Sequence, residues 1–490
     1  MILLINPQSA KRKFRLPLSL LAIAGSVEGK YEVCLLDGNF DRPLERIVAE
    51  TIRAKSIKYV GITVMPGPQL LQAVPLTRML RKDFPEVKII WGGYFPSQHT
   101  NTVLESGLVD YVIRGQGDVA FPLLIDALEH QQSVDGILSV SYCDGDAVIN
   151  NPRGPVLDPN TLPPTPYHLV DVQRYISKSN IGERTSVCQS SVGCPFVCGF
   201  CAVAGEYNGR WLAKDADALV DELLWQKEHW NIDSVMFYDN NFLVSEKRAN
   251  QFSKRMAGQK IAWWAWARPD TVMTFSDATL EALRDSGCHS LFFGAESSSQ
   301  ELLDAMDKGG TQTPDTVLEL CARMKKYGIV PELSFVLGNP SNTIDEDIER
   351  DLRFIRKCKE INAKTEIIIY IYSPVFFDDA PMFQDALKRG FHFPKTLDEW
   401  VSPQWADFDQ RKNPMTPWLQ PHHVDRIKGF EAVLDAAYPT ACDERLTQWQ
   451  RGLLKALGGW RYQLQFYNAP YEIKVAKRLV RYMQPQSEGY

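Results

Sequence analysis

Cys194, Cys198 and Cys201 form a Cys-x3-Cys-x2-Cys run, CPFVCGFC, directly after an apolar stretch that reads as a strand. The run offers three thiolates rather than four. Three cysteines on a [4Fe-4S] cluster leave one iron without a protein ligand, and such an iron is free to take a substrate or cofactor. A closed zinc site would need a second pair of Cys or His to reach four ligands. The sequence offers none: Cys34, Cys143, Cys188, Cys288, Cys321, Cys358 and Cys442 are scattered singly, and His422 and His423 lie far downstream. Cys188 falls inside the expected strand, so the metal and catalytic thiols are Cys194, Cys198 and Cys201, with a structural metal or a disulfide as the competing reading.

Other polar or small residues recur where strand-like segments end. Tyr238 and Asn240 lie in YDNN (238–241), Arg268 follows AWWAWA, and Glu296 and Ser298 lie in GAESS (294–298). In parallel barrels chemistry gathers at the carboxyl ends of strands, although each of these residues also suits an ordinary loop cap. In the first third of the chain the comparable loops are GITVMP (61–66), with Thr63 and Met65, WGGYFP (91–96), with Gly92, Gly93 and Tyr94, and RGQGD (114–118), with Gly115, Gln116 and Gly117. Glycines there either let backbone approach a bulky ligand or make tight turns. GQGDVA (115–120) matches G-x-G-x-x-A, yet it follows the fifth strand, whereas the dinucleotide fingerprint belongs after the first.

The elements that must carry these loops read as two alternating series. Apolar runs at 2–5, 31–37, 59–64, 87–93 and 110–115 are separated by amphipathic segments near 17–28, 44–55, 69–83, 98–106 and 119–129. That order predicts a doubly wound parallel sheet over 1–135, an α/β Rossmann-like domain. A linker follows at 136–183, with a small hairpin turning at Asp144-Gly145 and six prolines in NPRGPVLDPNTLPPTPYH. From 184 to 390 six further strands (184–189, 234–239, 262–268, 289–296, 331–338, 367–373) alternate with helical patterns. Six units predict a partial (β/α)6 barrel. Along that barrel's third strand Trp264 and Trp266 share a face with Arg268 while Trp263 faces away, which leaves open whether the pair lines a cavity or fills core. Residues 391–490 lose the alternation and read as a mainly helical capping region that shapes a substrate pocket. KVAKRLVRYM (474–483) there is a basic amphipathic helix, either a solvated face or a contact for a membrane-borne lipid substrate.

Composition bounds the rest. At 490 residues, 44% hydrophobic and 23% charged, the chain is ordinary globular material. A net charge of −6 argues against a nucleic-acid partner. No apolar run is long enough to span a bilayer, and the opening strand ILLIN leaves no room for a signal peptide. With thiolates that need reducing conditions, the expectation is a cytoplasmic protein working anaerobically.

SSVGCPFVCGFCA (190–202) resembles the cluster loop of radical S-adenosylmethionine (SAM) enzymes, whose form is Gly-Cys-Pro-x-x-Cys-x-aromatic-Cys. Where many relatives carry Arg before the Gly, this chain has Val192. The resemblance implies a [4Fe-4S] cluster whose open iron is chelated by SAM, and reductive cleavage to a 5′-deoxyadenosyl radical. It implies SAM contacts from Phe200, Tyr238, Asn240, Arg268, Glu296 and Ser298. Glu296 would meet the ammonium or ribose, and Arg268 the carboxylate or a neighbouring acid. An N-terminal domain of this size and strand order implies cobalamin, bound by Thr63, Met65, Gly92, Gly93, Tyr94, Gly115, Gln116 and Gly117. No Asp-x-His-x-x-Gly offers a lower cobalt ligand. The chain is thus similar to the cobalamin-dependent radical SAM enzymes, including anaerobic Mg-protoporphyrin monomethyl ester cyclases and radical methyltransferases. The expected reaction is methylation of an unactivated carbon in a small-molecule or lipid substrate, with a flavodoxin or ferredoxin as electron donor. Alternatives are a radical cyclisation or rearrangement and, from another class, an iron–sulfur electron carrier.

Overall fold

The computed structural model describes residues 1–9, 14–308, 310–376, 378–406, 415–440 and 446–480. Cys442 and residues 481–483 of the basic segment lie outside the described residues. The chain forms two compact units, Met1–Ile176 with His392–Asp409, and Ser177–Phe391 with Gln410–Tyr490.

In the first unit β1 (Ile2–Asn6), β2 (Val33–Asp37), β3 (Tyr59–Thr63), β4 (Lys88–Gly92) and β5 (Tyr111–Ile113) are parallel, in the spatial order β2-β1-β3-β4-β5. Helices cover both faces, which is why these strands are continuous apolar runs rather than alternating ones. Leu3, Ile5, Val60, Ile62, Ile89 and Trp91 pack on helices Leu44–Lys55 and Pro68–Asp83. The residues between them, such as Ile2, Leu4 and Ile90, face helices Leu18–Val27 and Ala120–Glu129. Strand order reverses between β1 and β3, and in such sheets ligands bind at the carboxyl ends beside that reversal.

Two expectations change here. The hairpin, β6 (Val140–Asp144) and β7 (Ala147–Asn150), is not part of a linker: β6 pairs antiparallel with β5, Ile113 opposite Val140, and extends the sheet. An uncovered β5 edge would leave its ladder groups unpaired, and the hairpin satisfies them. Residues 392–406, expected at the start of the helical cap, belong to the first unit instead. Trp400 is buried, with ring centroids 5.1 Å from Phe95 and 4.9 Å from His99, and Phe393 stacks on it at 5.6 Å. The helix Leu397–Trp400 has four residues and buries almost nothing within itself, so its aromatics need a preformed apolar surface.

The second unit sets β8 (Thr185–Cys188), β11 (Ser234–Phe237), β12 (Ala262–Ala267), β13 (Cys288–Glu296), β14 (Val330–Leu337) and β15 (Glu366–Ile371) side by side in sequence order, all parallel. This is the expected partial barrel. A short antiparallel pair, β9 (Ser191–Gly193) and β10 (Trp211–Ala213), brackets the cysteine run. Gly193 has φ +77°, and a Cβ there would sit 2.1 Å from the Arg210 carbonyl oxygen, so only glycine closes that pair. Trp263 packs outward with Phe252, while Trp264 and Trp266 join Phe292 and Ile368 inside the barrel. Helix Pro421–Ala437 contributes Ile427, Phe430 and Val433 to the outer core, and Arg426 pairs with Glu349 of helix Ile344–Ile361.

Burial pulls the His99 imidazole down to about 4. The unfolded chain binds that proton below about 6.5, so stability tied to neutral His99 is complete above pH 6.5 and is lost as pH falls towards 4, by up to about 3 kcal/mol. Trp400→Ala should cost about 3–5 kcal/mol at neutral pH and, by wetting His99, flatten that acid loss. Urea unfolding across this pH range measures both effects. An unchanged pH slope would mean that Trp400 does not shield the imidazole.

Candidate active site

The cysteine run occupies the carboxyl end of the first barrel strand. Cys201 donates its backbone N–H to the Cys198 carbonyl at 3.0 Å, and Gly199 donates to the Met306 carbonyl at 3.0 Å, which ties the loop to the segment beyond β13. Burial raises the Cys194 thiol, opposed first by a Phe196 backbone hydrogen bond. Burial also pushes the Cys201 thiol up to about 12, with Cys198 adding to it and the backbone N–H groups of Val203 and Ala204 opposing. Thiols in this state ligate only if a cation offsets the cost of burying thiolate. A single zinc would hold its sulfurs about 3.8 Å apart, from Zn–S bonds of about 2.3 Å. The three sulfurs do not all lie within 4.8 Å of one another, so they are not closed around a single ion. Cys188 is buried in the outer core, away from the loop.

Around the loop the strand ends converge. Arg268, 6% exposed, donates from Nε and Nη2 to the two oxygens of Asp270, at 3.0 and 2.7 Å, and from Nη2 also to the Lys308 carbonyl. Its Nη1 donates to Cys198 Sγ at 3.2 Å, and the guanidinium lies 3.8 Å from the Phe196 ring centroid. The neighbouring acid expected for Arg268 is therefore Asp270. Glu296 is buried at φ +63° and pairs with Lys308 Nζ at 3.0 Å. Lys308 also lies 5.7 Å from the Phe200 ring, and Phe200 packs with Met306, Tyr372 and Met382. Ser298 donates both N–H and hydroxyl to Asp351 at 2.6 Å. Burial lifts that carboxyl to about 6, against those hydrogen bonds. Tyr238 and Asn240 are half-buried after β11, and Tyr238 donates its N–H to the Cys188 carbonyl at 2.9 Å.

Four residues here escaped sequence reasoning. Asp239 accepts from the Ser190 N–H and hydroxyl and from the Ser191 hydroxyl, which fixes the base of the cysteine loop. Asn241 is 1% exposed, lies against Cys194, and finds no good partner for either polar atom of its amide. An orphaned amide at that depth fits a site that receives a polar group. Asp270 and Lys308 are the other two. The YDNN cluster was the available signal for the first pair, and nothing in the sequence separates Asn240 from Asn241.

In the first unit, Gln69 bridges the loops after β1 and β3. It donates to Asn6 Oδ1 at 2.9 Å and the Pro7 carbonyl at 3.0 Å, and accepts from the Met65 N–H at 2.8 Å. Thr63 is buried at the end of β3. A Cβ on Gly92 would meet only the Ile113 carbonyl, at 3.9 Å, so space is open at the end of β4, where Tyr94 begins a short helix. Gly93, at φ +95°, has Thr63 Oγ1 2.9 Å from its absent Cβ. Gly115, also at positive φ, donates to Ser97 Oγ, while the Gln116 side chain accepts from the Leu157 N–H. A Cβ on Gly117 would fall 2.6 Å from Ile23 Cδ1, so helix Leu18–Val27 packs closely on this loop.

Among the described residues only Asp345, His422 and His423 bring three ligand-type atoms within 4.8 Å. His423 Nδ1 accepts the Gln420 N–H at 3.0 Å, so Nε2 keeps its proton and donates to Asp345. A metal on Nε2 would require an imidazolate. The trio is a helix tie.

Family models match twice: the B12 binding domain over residues 15–125 and the radical SAM superfamily over 189–355. An uncharacterised methyltransferase of Pyrococcus horikoshii is 29% identical over 70% of this chain and 73% of its own length. The anaerobic magnesium-protoporphyrin IX monomethyl ester cyclase of Synechocystis is 24% identical over 74% and 72%. Among solved structures, the radical SAM methyltransferase TsrM from Kitasatospora setae, with tryptophan and a SAM analogue, matches with a TM-score of 0.69 at 17% identity, over 98% of both chains. OxsB with aqua-cobalamin and SAM matches with a TM-score of 0.72 at 15% identity, over 99% of this chain and 73% of that one.

Changing Cys194, Cys198 or Cys201 to Ala should abolish anaerobic loading of about four irons per chain, whereas Cys188→Ala should load normally. Iron and sulfide analysis decides it, and normal loading in any loop variant would exclude that thiol. Arg268→Lys keeps the charge but loses the fork, so Cys198 loses a charge-assisted donor. The cluster potential should fall by some tens of millivolts, read by EPR-monitored titration.

Proposed function

We infer, for a chain that is a radical SAM enzyme with a B12-binding domain, that it transfers a methyl group from SAM to an unactivated carbon of a small-molecule or lipid substrate. The observation that carries this reading is the presence, in one chain, of the three-thiol loop and a corrin domain. Radical rearrangement needs only the first; a methyl carrier gives a use to the second. The relative that is a methyltransferase by name, matched over 70% of this chain, supports it. The cofactors of such a chain are a [4Fe-4S] cluster, SAM and cobalamin. Bound, the cluster supplies the electron that cleaves SAM to a hydrogen-abstracting radical, and the corrin supplies the methyl carrier.

Cys194, Cys198 and Cys201 would hold three irons, and the buried amide of Asn241 beside Cys194 would meet the cluster or SAM. Glu296 would take the SAM ammonium or ribose. Its partner Lys308 keeps that buried carboxylate paired before SAM arrives, since an unpaired charge there costs several kcal/mol. Asp351 locks Ser298, and so fixes the turn that presents Glu296. Phe200 sets the backbone of the loop along the adenine, and Tyr238 and Asn240 line the neighbouring strand end. Arg268 acts through Cys198 and Asp270 rather than on SAM. On the first unit, Thr63, Met65, Gly92, Gly93, Tyr94, Gly115, Gln116 and Gly117 would hold the corrin. A low-potential flavodoxin or ferredoxin would deliver the electron.

Radical cyclisation is the second reading, favoured by the cyclase relative that spans 74% of the chain. SAM bearing a deuterated methyl group separates the two. Methyl transfer should give S-adenosylhomocysteine and 5′-deoxyadenosine in about equal amounts, with label in the product. Cyclisation would give 5′-deoxyadenosine with little of the other and an unlabelled product, and that outcome refutes methyl transfer. Glu296→Gln should depress both SAM products together, by roughly ten-fold or more, because a misplaced SAM loses both uses.

A further inference from the structure

The last two helices carry an apolar and basic face that the core does not use. Gln448–Gln463 and Tyr471–Leu479 pack on each other through Leu454, Leu457 and Ala476. Along the first, Trp449 and Trp460 recur at helical spacing, followed by Leu464; they are 72%, 45% and 72% exposed. This stripe runs about 22 Å, at about 1.5 Å per residue. On the second, Tyr471, Val475 and Leu479 stand four apart on one face, 69%, 54% and 80% exposed. Soluble surfaces rarely gather so many large apolar side chains without a use for them.

Charge says what covers this face. Residues 448–463 contain no acid, and the single acid of 471–479, Glu472, is taken by Arg461. Lys455, Lys474 and Arg478 are exposed and have no ion pair among the described residues. Lys474 and Arg478 lie on the same side of their helix as Tyr471 and Val475. The chain as a whole is acidic, at −6, so this is a local reversal of sign. Tryptophan and tyrosine beside aliphatic tips, interleaved with long cations, is the arrangement that suits a lipid–water boundary. The stripe carries no short polar side chain to orient a folded partner. No helix of the described residues is long and apolar enough to cross a membrane, so any contact is with the surface.

We propose that helices Gln448–Gln463 and Tyr471–Leu479 form a docking face for an anionic lipid bilayer, with Trp449, Trp460, Leu464 and Leu479 entering the headgroup boundary and Lys474 and Arg478 meeting lipid phosphates. The face is independent of whether the reaction is methyl transfer. The cluster-loaded, full-length protein should sediment with vesicles of equimolar phosphatidylcholine and phosphatidylglycerol, and much less with phosphatidylcholine alone. Salt should weaken the binding. The double variant Lys474→Glu/Arg478→Glu should lower partitioning at least about 25-fold, since each cation near an anionic surface is worth about five-fold. Leu464→Gln/Leu479→Gln should lower it as well, and brominated lipid should quench tryptophan emission in the wild type only. Both doubles alter exposed positions, so thermal unfolding and iron content should stay unchanged and certify the fold. Equal sedimentation with both vesicle types, or with the charge-reversed double variant, overturns the proposal. So does a dimer in light scattering that Leu464→Gln/Leu479→Gln converts to monomer, which would assign the face to a second copy of the chain.

Discussion

The Arg268 guanidinium is the interaction on which the second unit's site depends. It leaves the end of β12, grips Asp270 with two hydrogen bonds, reaches the Lys308 carbonyl beyond β13, and still donates to Cys198 on the loop after β8. Three separate segments are referred to one planar cation. Burying such a cation is costly unless nearly every donor is used, and here the fork geometry uses them. Holding Lys308 by its backbone leaves its ammonium free to pair with Glu296, so the second buried ion pair is a consequence of the first.

That arrangement explains why the site's charges survive burial. Asp270 is held below the usual carboxylate range by Arg268 in spite of burial. Glu332, deeper in the barrel, has only the Trp264 N–H and the Ser290 hydroxyl as donors among the described residues, and burial lifts it to about 7. The contrast is between a carboxylate given a cation and one given neutral donors. It also accounts for the inward tryptophan: Trp264 satisfies an acid while filling the barrel, so its indole is both core and polar partner.

The first unit works by different means. Its loops are set by backbone rather than by ion pairs: Gly93 in the left-handed region, Gly115 donating to Ser97, and Gln69 stapling the loops after β1 and β3. Neutral donors and bare backbone suit a large ligand bound by shape at a strand-order reversal. A compact zwitterion is better served by the charged mouth of the barrel.

From the sequence alone, the three-thiol spacing, the alternating strand and helix periods and the glycine loops could be read, because each is local: ligand count, side-chain period and positive φ all lie within a few residues. Strand parity likewise put Trp264 and Trp266 on one face with Arg268, and the fold decided that this face points into the barrel. Tertiary structure alone decided what depends on distance along the chain. It set Asn241 rather than Asn240 against Cys194, and made Asp270 and Lys308 the partners of Arg268 and Glu296. It sent β6 and β7 to the edge of β5, and returned residues 392–406 to a core built by residues 1–176. Those outcomes turn on which buried surface or charge lacks a partner once everything else has folded, and no window of sequence contains both halves of that answer.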